Sequence, residues 1–237
     1  MLLAVTLSVG GGVTKRRHLR CADKQIQFPF SFKKDRIYTD ILELLAYYYS
    51  QVLALPLSTE EIVPSLNFPK NTPKLAPLKG ADYLCYVLDS SVLQRQYHHE
   101  KLMPLLIKYA QRHGLKIVVT AAKPQAELVK DERVVDLTGK TSLLQLGQVI
   151  AHAKVIIGNE TGPTHLSWIL NKPTVMLYGG GHFGLFRPSN RCQVVSVASR
   201  PCFACGWRCY SSIKKLAPCI DDISLSQIEQ ALEKQWP

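Results

Sequence analysis

The sequence predicts an α/β protein whose doubly wound parallel sheet begins near residue 80, after a short N-terminal part. Two patterns indicate this fold. Apolar runs of strand length recur from residue 82 onward, and segments with apolar residues at helical spacing alternate with them. Short buried strands that alternate with helices are typical of a parallel sheet covered on both faces. The 237 residues suffice for one large domain or two small ones.

The predicted elements of this domain follow one another closely. The strands are "DYLCYVL" (82–88), "LKIVVTAA" (115–122), "RVVDLTG" (133–139), "KVIIGN" (154–159) and "PTVMLYG" (173–179). The helices are 98–114, 126–131, 142–153 and 163–171. Gly114 ends the first helix, in which Pro104 predicts a kink or a later start. Ser142 is suited to cap the third helix.

The part before residue 80 divides in two. Residues 1–66 hold a candidate strand, "LLAVTLSV", a "GGG" turn and an amphipathic helix at 38–55. Residues 67–79, "NFPKNTPKLAPLK", contain three prolines and no apolar periodicity, so we expect a linker there. The sheet domain then occupies 80–237.

The charge of the chain indicates an anionic partner. Twenty-nine Lys+Arg against 18 Asp+Glu give a net charge of +11, which attracts nucleic acid, an acidic membrane face or phosphorylated small molecules. No stripe of basic and aromatic residues supports nucleic-acid binding. The N-terminus is apolar first and basic afterwards, the reverse of a secretory signal, so we expect a cytoplasmic location.

Four of the seven cysteines are crowded into one segment. Cys202, Cys205, Cys209 and Cys219 have the spacing C-x2-C-x3-C-x9-C, which is compatible with a tetrahedral zinc site of four thiolates. The alternative is a set of small, buried, free thiols. An iron–sulfur cluster is a third possibility.

The stretch "GNETGPTH" (158–165) lies between the strand 154–159 and the helix 163–171. Ligands of doubly wound sheets bind outside the carboxyl ends of the strands. Gly162 allows a close backbone approach, and Pro163 suits the first turn of a helix. The N–H groups of that turn, the Thr161 hydroxyl and His165 together predict a phosphate site. The alternative is that Asn159 or Thr161 only caps the helix while His165 packs beneath it.

These residues also carry a resemblance. "AKVIIGNETGPTHLSWILNKPTVMLYG" resembles the signature of glycosyltransferase family 9, the lipopolysaccharide heptosyltransferases, in which a strand leads into an acid-Ser/Thr-Gly-Pro-x-His loop. "RQYHHEKLMPLLIKYAQRHGLKIVVTAA", "LTGKTSLLQLGQVIAHA" and the Cys-rich "CFACGWRCYSSIKKLAPCIDDIS" are similar to further motifs of that family, in the same order. The resemblance spans about 80–225 and implies a Rossmann-like, donor-binding C-terminal domain of a glycosyltransferase B fold.

The resemblance implies a nucleotide-sugar donor site, with ADP-heptose as the leading donor. Thr161 and Gly162 would hold the diphosphate, and Pro163 begins the helix behind it. Glu160 stands where the family usually has aspartate. The longer side chain of glutamate would shift the contacts that this acid makes with the sugar. His165 would face the phosphates or the sugar.

Three further positions follow from the resemblance. Arg95 falls where the family often has a phosphate-binding lysine, and its guanidinium can bind an oxyanion in two places. Glu127 would accept a hydrogen bond from the ribose, or else be a solvated surface acid. Gly179, at the start of a glycine triplet, would let the backbone approach the donor, or else form a plain turn.

This chain differs most from the family in the region that corresponds to the family's first domain. Residues 1–66 contain no Gly-Asp pair that could supply the family's catalytic base, so the catalytic residue is unknown. We interpret this part as a remnant of the acceptor domain; the alternative is a compactly rebuilt first domain with an altered acceptor site. Asp23, Asp35 and Asp40 are candidates by proximity alone, and each is better interpreted as a surface acid. The acceptor implied by the resemblance is a lipid-linked glycan, reached in peripheral contact with the inner membrane.

Two functions remain open from the sequence. The first is transfer of a heptose or related sugar from an ADP-activated donor to a lipopolysaccharide core, with no cofactor. The second is a catalytically silent module that binds a nucleotide sugar.

Overall fold

The computed structural model describes residues 75, 78–91, 93–125, 127–182, 192–195 and 217–236. The N-terminal strand and the helix expected at 38–55 lie outside these residues, as does most of the expected linker. Leu78, assigned to that linker by sequence, is 1% exposed and packs against the core of the sheet domain. The packed part of the chain therefore includes Leu78, and the exact domain boundary stays a prediction.

Among the described residues, six parallel strands form one sheet in the order β3-β2-β1-β4-β5-β6. The strands are β1 (Tyr83–Val87), β2 (Lys116–Thr120), β3 (Val134–Asp136), β4 (Val155–Asn159), β5 (Thr174–Leu177) and β6 (Gln193–Val195). The prediction of a parallel sheet is confirmed. Its five predicted strands coincide with β1 to β5, and β6 was not predicted.

Helices cover this sheet from both sides. They are α1 (His99–Arg112), α2 (Leu143–His152), α3 (Gly162–Ile169), α4 (Pro218–Asp221) and α5 (Leu225–Gln235). Side chains of β1 alternate between the two faces. Leu84 and Tyr86 join a core with α1 and α5, whereas Tyr83, Cys85 and Val87 join a second core that includes α2. The doubly wound architecture is thus confirmed.

Local signals account for the helix ends. Ser142 accepts a hydrogen bond from the Gln145 N–H while the Gln145 side chain accepts one from the Ser142 N–H, which forms a capping box at α2. Gly114 follows α1 with a φ of +65°, a conformation that glycine adopts at low cost. Pro104 lies inside α1, which begins at His99 and continues to Arg112.

The helix predicted at 126–131 is wrong. Residues 127–131 form a turn followed by irregular chain. The Asp131 side chain accepts a hydrogen bond from the Arg133 N–H at 2.8 Å, and the Asp131 carbonyl accepts one from the Val134 N–H at 3.0 Å. Such local bonding of an aspartate competes with helix formation, and Leu128 packs against the core from the irregular chain.

The C-terminal helices α4 and α5 were not predicted. Ser224 forms a capping box with Gln227 at the start of α5. Ile228, Ala231 and Leu232 lie on the buried face of this helix, at the spacing that an amphipathic helix requires. Both signals are present in the sequence.

Candidate functional site

The strand order places a crevice between β1 and β4. From β1 the chain proceeds to β2 and β3 on one side, and from β4 it proceeds to β5 and β6 on the other. The loops after β1 and β4 therefore lead away in opposite directions at the carboxyl edge, which is where doubly wound sheets bind ligands. Arg95 lies on the loop after β1, and Glu160 and Thr161 follow β4 directly.

The first turn of α3 faces this edge. Thr161 precedes the helix in an extended conformation and its side chain makes no capping hydrogen bond, while Pro163 lies in the first turn. The alternative in which Thr161 only caps the helix is therefore not what the structure shows. The N-terminal N–H groups of a helix, with its dipole, favour an anion.

Gly158 and Gly162 differ in what surrounds them. A Cβ added at Gly158 would lie 2.5 Å from Thr164 Oγ1 and 2.7 Å from Val87 Cβ, so Gly158 is what lets the first turn of α3 pack against β1. A Cβ added at Gly162 would meet no atom of the described residues within 4 Å, so the space in front of Gly162 is open as far as those residues are concerned.

Arg95 and Glu160 form an ion pair across the crevice. The guanidinium Nη1 lies 3.8 Å from the Glu160 Oε1, and the side chains are 22% and 2% exposed. A carboxylate this deeply buried requires a cation or hydrogen-bond donors nearby to offset its desolvation. The pair keeps one positive group beside the first turn of α3.

Asn159, the last residue of β4, was not among the predicted site residues. Its side chain is fully buried and bridges two backbone groups of the neighbouring loop. Oδ1 accepts a hydrogen bond from the Tyr97 N–H at 2.9 Å, and Nδ2 donates one to the Leu88 carbonyl at 2.7 Å. Its alternative role as a helix cap is thus replaced by a tie between β4 and the loop after β1.

His165 lies one turn into α3 and is partly buried. Its Nδ1 accepts a hydrogen bond from the Trp168 indole N–H at 3.3 Å. Because an acceptor nitrogen carries no proton, the neutral ring then bears its proton on Nε2 and can donate from that atom.

The other predicted residues lie on neighbouring loops of the same edge. Glu127 is exposed, in the turn that follows β2. Gly179 is buried just beyond β5 and leads into a short 3-10 helix, Gly180–His182. The structure thus brings Arg95 and Glu160 into contact and places Glu127 and Gly179 at the carboxyl ends of other strands.

The cysteine cluster is described only in part. Cys202, Cys205 and Cys209 lie outside the described residues. Cys219 is buried in α4 and belongs to the core. No group of three His, Cys, Asp or Glu within the described ranges could hold a metal ion. Among the same residues, no helix has the length and apolar character needed to cross a membrane.

Three comparisons relate this chain to known proteins. The model of glycosyltransferase family 9 (heptosyltransferase) matches residues 32–212, well over half of the chain. Lipooligosaccharide heptosyltransferase 2 of Haemophilus influenzae is 30% identical over 91 residues, which are 35% of this chain and 26% of that protein. Lipopolysaccharide heptosyltransferase 3 of Escherichia coli K12 is 26% identical over 92 residues, which are 35% of this chain and 27% of that protein.

Solved structures agree in fold. The E. coli ADP-heptose lps heptosyltransferase II has a TM-score of 0.53 at 19% identity, over 67% of this chain and 47% of that one. The E. coli heptosyltransferase WaaC with ADP has a TM-score of 0.52 at 20% identity, over 71% and 47%. The chain therefore spans about half the length of these structures. With the family model matched over most of its length and the fold shared with solved members, the chain belongs to glycosyltransferase family 9, the heptosyltransferase family.

Proposed function

We propose that this chain binds an ADP-activated heptose in the crevice between β1 and β4, and that it provides the donor side of sugar transfer to a lipopolysaccharide core. The observation that carries the proposal is the placement of Arg95 and Glu160 at the switch point of the sheet, beside the first turn of α3. A structure of similar fold, with a TM-score of 0.54, is a heptosyltransferase in complex with ADP-D-beta-D-heptose. That likeness supports the donor class.

In the proposed reaction, an acceptor hydroxyl attacks the anomeric carbon of the heptose. The bond from that carbon to the β-phosphate oxygen breaks, and ADP leaves with the electron pair. Arg95 and the N–H groups at the start of α3 stabilise the negative charge that develops on the diphosphate. The Thr161 hydroxyl and the Nε2 of His165 add neutral hydrogen-bond donors on the same side.

The proton of the acceptor hydroxyl must pass to a general base. Asp23, Asp35 and Asp40 lie outside the described residues, so the base stays unassigned. A second candidate function follows from this point, since a donor site without a base is a nucleotide-sugar-binding module. In both cases the proposed location is cytoplasmic, with the acceptor reached at the inner-membrane face.

The two functions are separated by a pair of measurements. Thermal unfolding with ADP, ADP-heptose, a UDP-sugar and DNA tests the donor class, because a ligand that binds the folded state raises its stability. ADP and ADP-heptose are expected to stabilise the chain more than the other two ligands. An assay with a truncated lipopolysaccharide acceptor then tests transfer. Stabilisation without transfer would identify the binding module, and stabilisation by DNA alone would contradict both functions.

Thr161→Val tests the loop itself. Removing a hydroxyl donor to a charged phosphate is expected to weaken ADP binding by roughly 1.5–3 kcal/mol. The Thr161 side chain makes no capping bond, so the free energy of unfolding without ligand should change little through loss of a cap. Calorimetric titration measures the first quantity and urea unfolding the second. A folded Thr161→Val protein with unchanged ADP affinity would contradict the assigned loop.

A further inference from the structure

The loop that carries Arg95 is held at both ends by one buried side chain. Leu88, immediately after β1, and Tyr97, just before α1, are the two backbone positions that the Asn159 amide contacts, at 2.7 Å and 2.9 Å. Asn159 is 0% exposed. The nine-residue loop from Leu88 to Gln96 is therefore held at its start and at its end by the same residue of β4, Asn159.

The Asn159 amide satisfies both contacts with two different atoms, Oδ1 and Nδ2, which the single oxygen of a shorter hydroxyl side chain does not replace. The Tyr97 N–H requires an acceptor and the Leu88 carbonyl requires a donor, and both atoms must come from one short, buried side chain. Aspartate lacks the donor and would bring a negative charge to the Leu88 carbonyl, whereas an apolar side chain would supply neither atom. A buried polar group that loses its partner costs more than the bond it made was worth.

The loop is braced internally as well. The Gln96 side chain donates to the Ser90 carbonyl at 2.9 Å, across the loop. The Tyr97 hydroxyl donates to the Ile223 carbonyl at 2.8 Å, in the segment between α4 and α5. Arg95 ends a short 3-10 helix, Leu93–Arg95, between these ties. Its backbone is thereby fixed on the β4 side of the loop.

Asn159 influences the position of both residues of the ion pair, Arg95 and Glu160. The main chain of Asn159 leads directly into Glu160, and its side chain fixes the loop that presents Arg95. Because the backbone of this loop is already fixed, less backbone entropy is lost when the Arg95 guanidinium engages a ligand.

We propose that Asn159 is a positioning residue for Arg95: it holds the loop after β1 against β4 so that the guanidinium stands at the crevice, ready for an anionic group of the donor. This inference rests on the proposed function, because it assigns Arg95 to the diphosphate. It adds a residue whose side chain hydrogen-bonds to backbone groups of the loop.

The test combines Asn159→Ser with Arg95→Ala and uses two probes, ADP and adenosine. Asn159→Ser is expected to weaken ADP binding at least fivefold and to leave adenosine binding unchanged, because adenosine has no phosphate for Arg95. In the Arg95→Ala background, Asn159→Ser should cause no further loss of ADP affinity. Equal losses for ADP and adenosine, or losses that multiply in the double variant, would show a general structural role and overturn the proposal.

Gln96→Ala provides a milder second variant should Asn159→Ser fold poorly. It removes the tie to Ser90 without opening the buried site of Asn159, and a smaller loss of ADP affinity, again absent with Arg95→Ala, is expected. An unchanged affinity would count against loop positioning.

A ligand-free cycle separates this inference from the proposed function. Arg95→Ala, Glu160→Gln and their double variant give the coupling between the two side chains in urea unfolding, and the cycle is repeated with Asn159→Ser. We expect the coupling to disappear in the second cycle, and an equal coupling in both would overturn the positioning role. If wild-type protein binds no ADP, the proposed function fails while this cycle still decides the role of Asn159.

Discussion

Gly158 and Gly162 show how one residue type serves two purposes in the same motif. At Gly158 the absence of a side chain allows close packing, because Thr164 and Val87 lie where a Cβ would otherwise be. Gly162 leaves room that nothing in the described structure fills. A helix would gain from alanine at such a position, and the proposed approach of the donor to the backbone depends on this open space.

Gly162→Ala tests this difference. The added methyl group meets no protein atom, so the free energy of unfolding should stay the same or rise by up to about 1 kcal/mol, the advantage of alanine over glycine in a helix. ADP affinity should fall, because the methyl group occupies the approach to the backbone. Urea unfolding and calorimetric titration measure the two effects.

Gly158→Ala is the matched control. Its methyl group would overlap Thr164 and Val87, and overpacking of this kind costs about 1–3 kcal/mol of stability. The two alanine variants should thus separate binding from folding. Wild-type ADP affinity in Gly162→Ala would refute a ligand approach at this point.

The sequence predicted the positions of individual candidate residues better than it predicted which residues they contact. The motif predicted Thr161, Gly162 and Pro163 at the start of α3, and they lie there. The contact between Arg95 and Glu160 was not predicted, since it depends on how β1 and β4 pair. The role of Asn159 was missed for the same reason, because its partner Tyr97 lies 62 residues away.

At the scale of elements, α4 and α5 are tied to α1 by charged and aromatic side chains. Asp221 of α4 lies 2.7 Å from the Lys101 ammonium and 3.1 Å from His98 Nε2. Arg112 of α1 contacts two glutamates of α5, and Trp236 lies beyond α5 with its ring 4.0 Å from that of His113. The C-terminal helices therefore belong to the same packed unit as the sheet.

Asp221→Asn gives a pH-dependent test of this tie. The hydrogen bond from Lys101 holds the pKa of the Asp221 carboxyl below its ordinary value, and the nearby positive charge acts in the same direction. A carboxyl whose pKa is lowered in the folded state contributes stability at pH values above the ordinary pKa of aspartate, about 3.9. This contribution is lost as the pH falls through the lowered pKa. Because the pair is largely exposed, the loss at pH 7 should be under about 1 kcal/mol.

Urea unfolding at pH 7 and near pH 2 measures the effect. The difference between wild type and Asp221→Asn should shrink at the lower pH, as the wild-type carboxyl becomes protonated. Lys101→Met should produce a loss that does not add to that of Asp221→Asn. A difference that is constant with pH would show that the pair does not contribute through its charge.

Across the whole molecule, stability depends on covering both faces of one sheet. Leu232 of α5 is fully buried in the core shared with α1, whereas Leu225 at the start of the same helix is 40% exposed. Leu232→Ala is expected to lower the free energy of unfolding by about 2–5 kcal/mol, because it leaves a cavity. Leu225→Ala should change it by no more than about 0.5 kcal/mol. Similar losses in urea unfolding would contradict this account of α5.

The fold was predictable to the extent that each element carries its own signal. Apolar runs marked β1 to β5, and the capping residue Ser142 marked α2. β6 has only three residues, Gln193–Val195, and is defined by its pairing with β5 rather than by its composition. The segment 126–131 had helical spacing but too few residues to outweigh the turn at Asp131.

The net charge of the chain is distributed unevenly. Among the described residues, Lys and Arg number 13 and Asp and Glu number 12, so nearly all of the +11 belongs to the rest of the sequence. The excess therefore does not come from the sheet domain as described. The anion site proposed for the crevice therefore depends on a few placed groups, Arg95 first, rather than on a general positive surface of the described residues.

Because every strand points the same way, the two rims of the sheet are not equivalent. The loops discussed above all leave from the carboxyl rim, and the turns at Gly114 and Asn171 lie on the opposite one, just before β2 and β5. That far rim is the natural place to attach a fluorophore or a surface tether. A label there would lie at the other end of the strands and leave the carboxyl rim unobstructed.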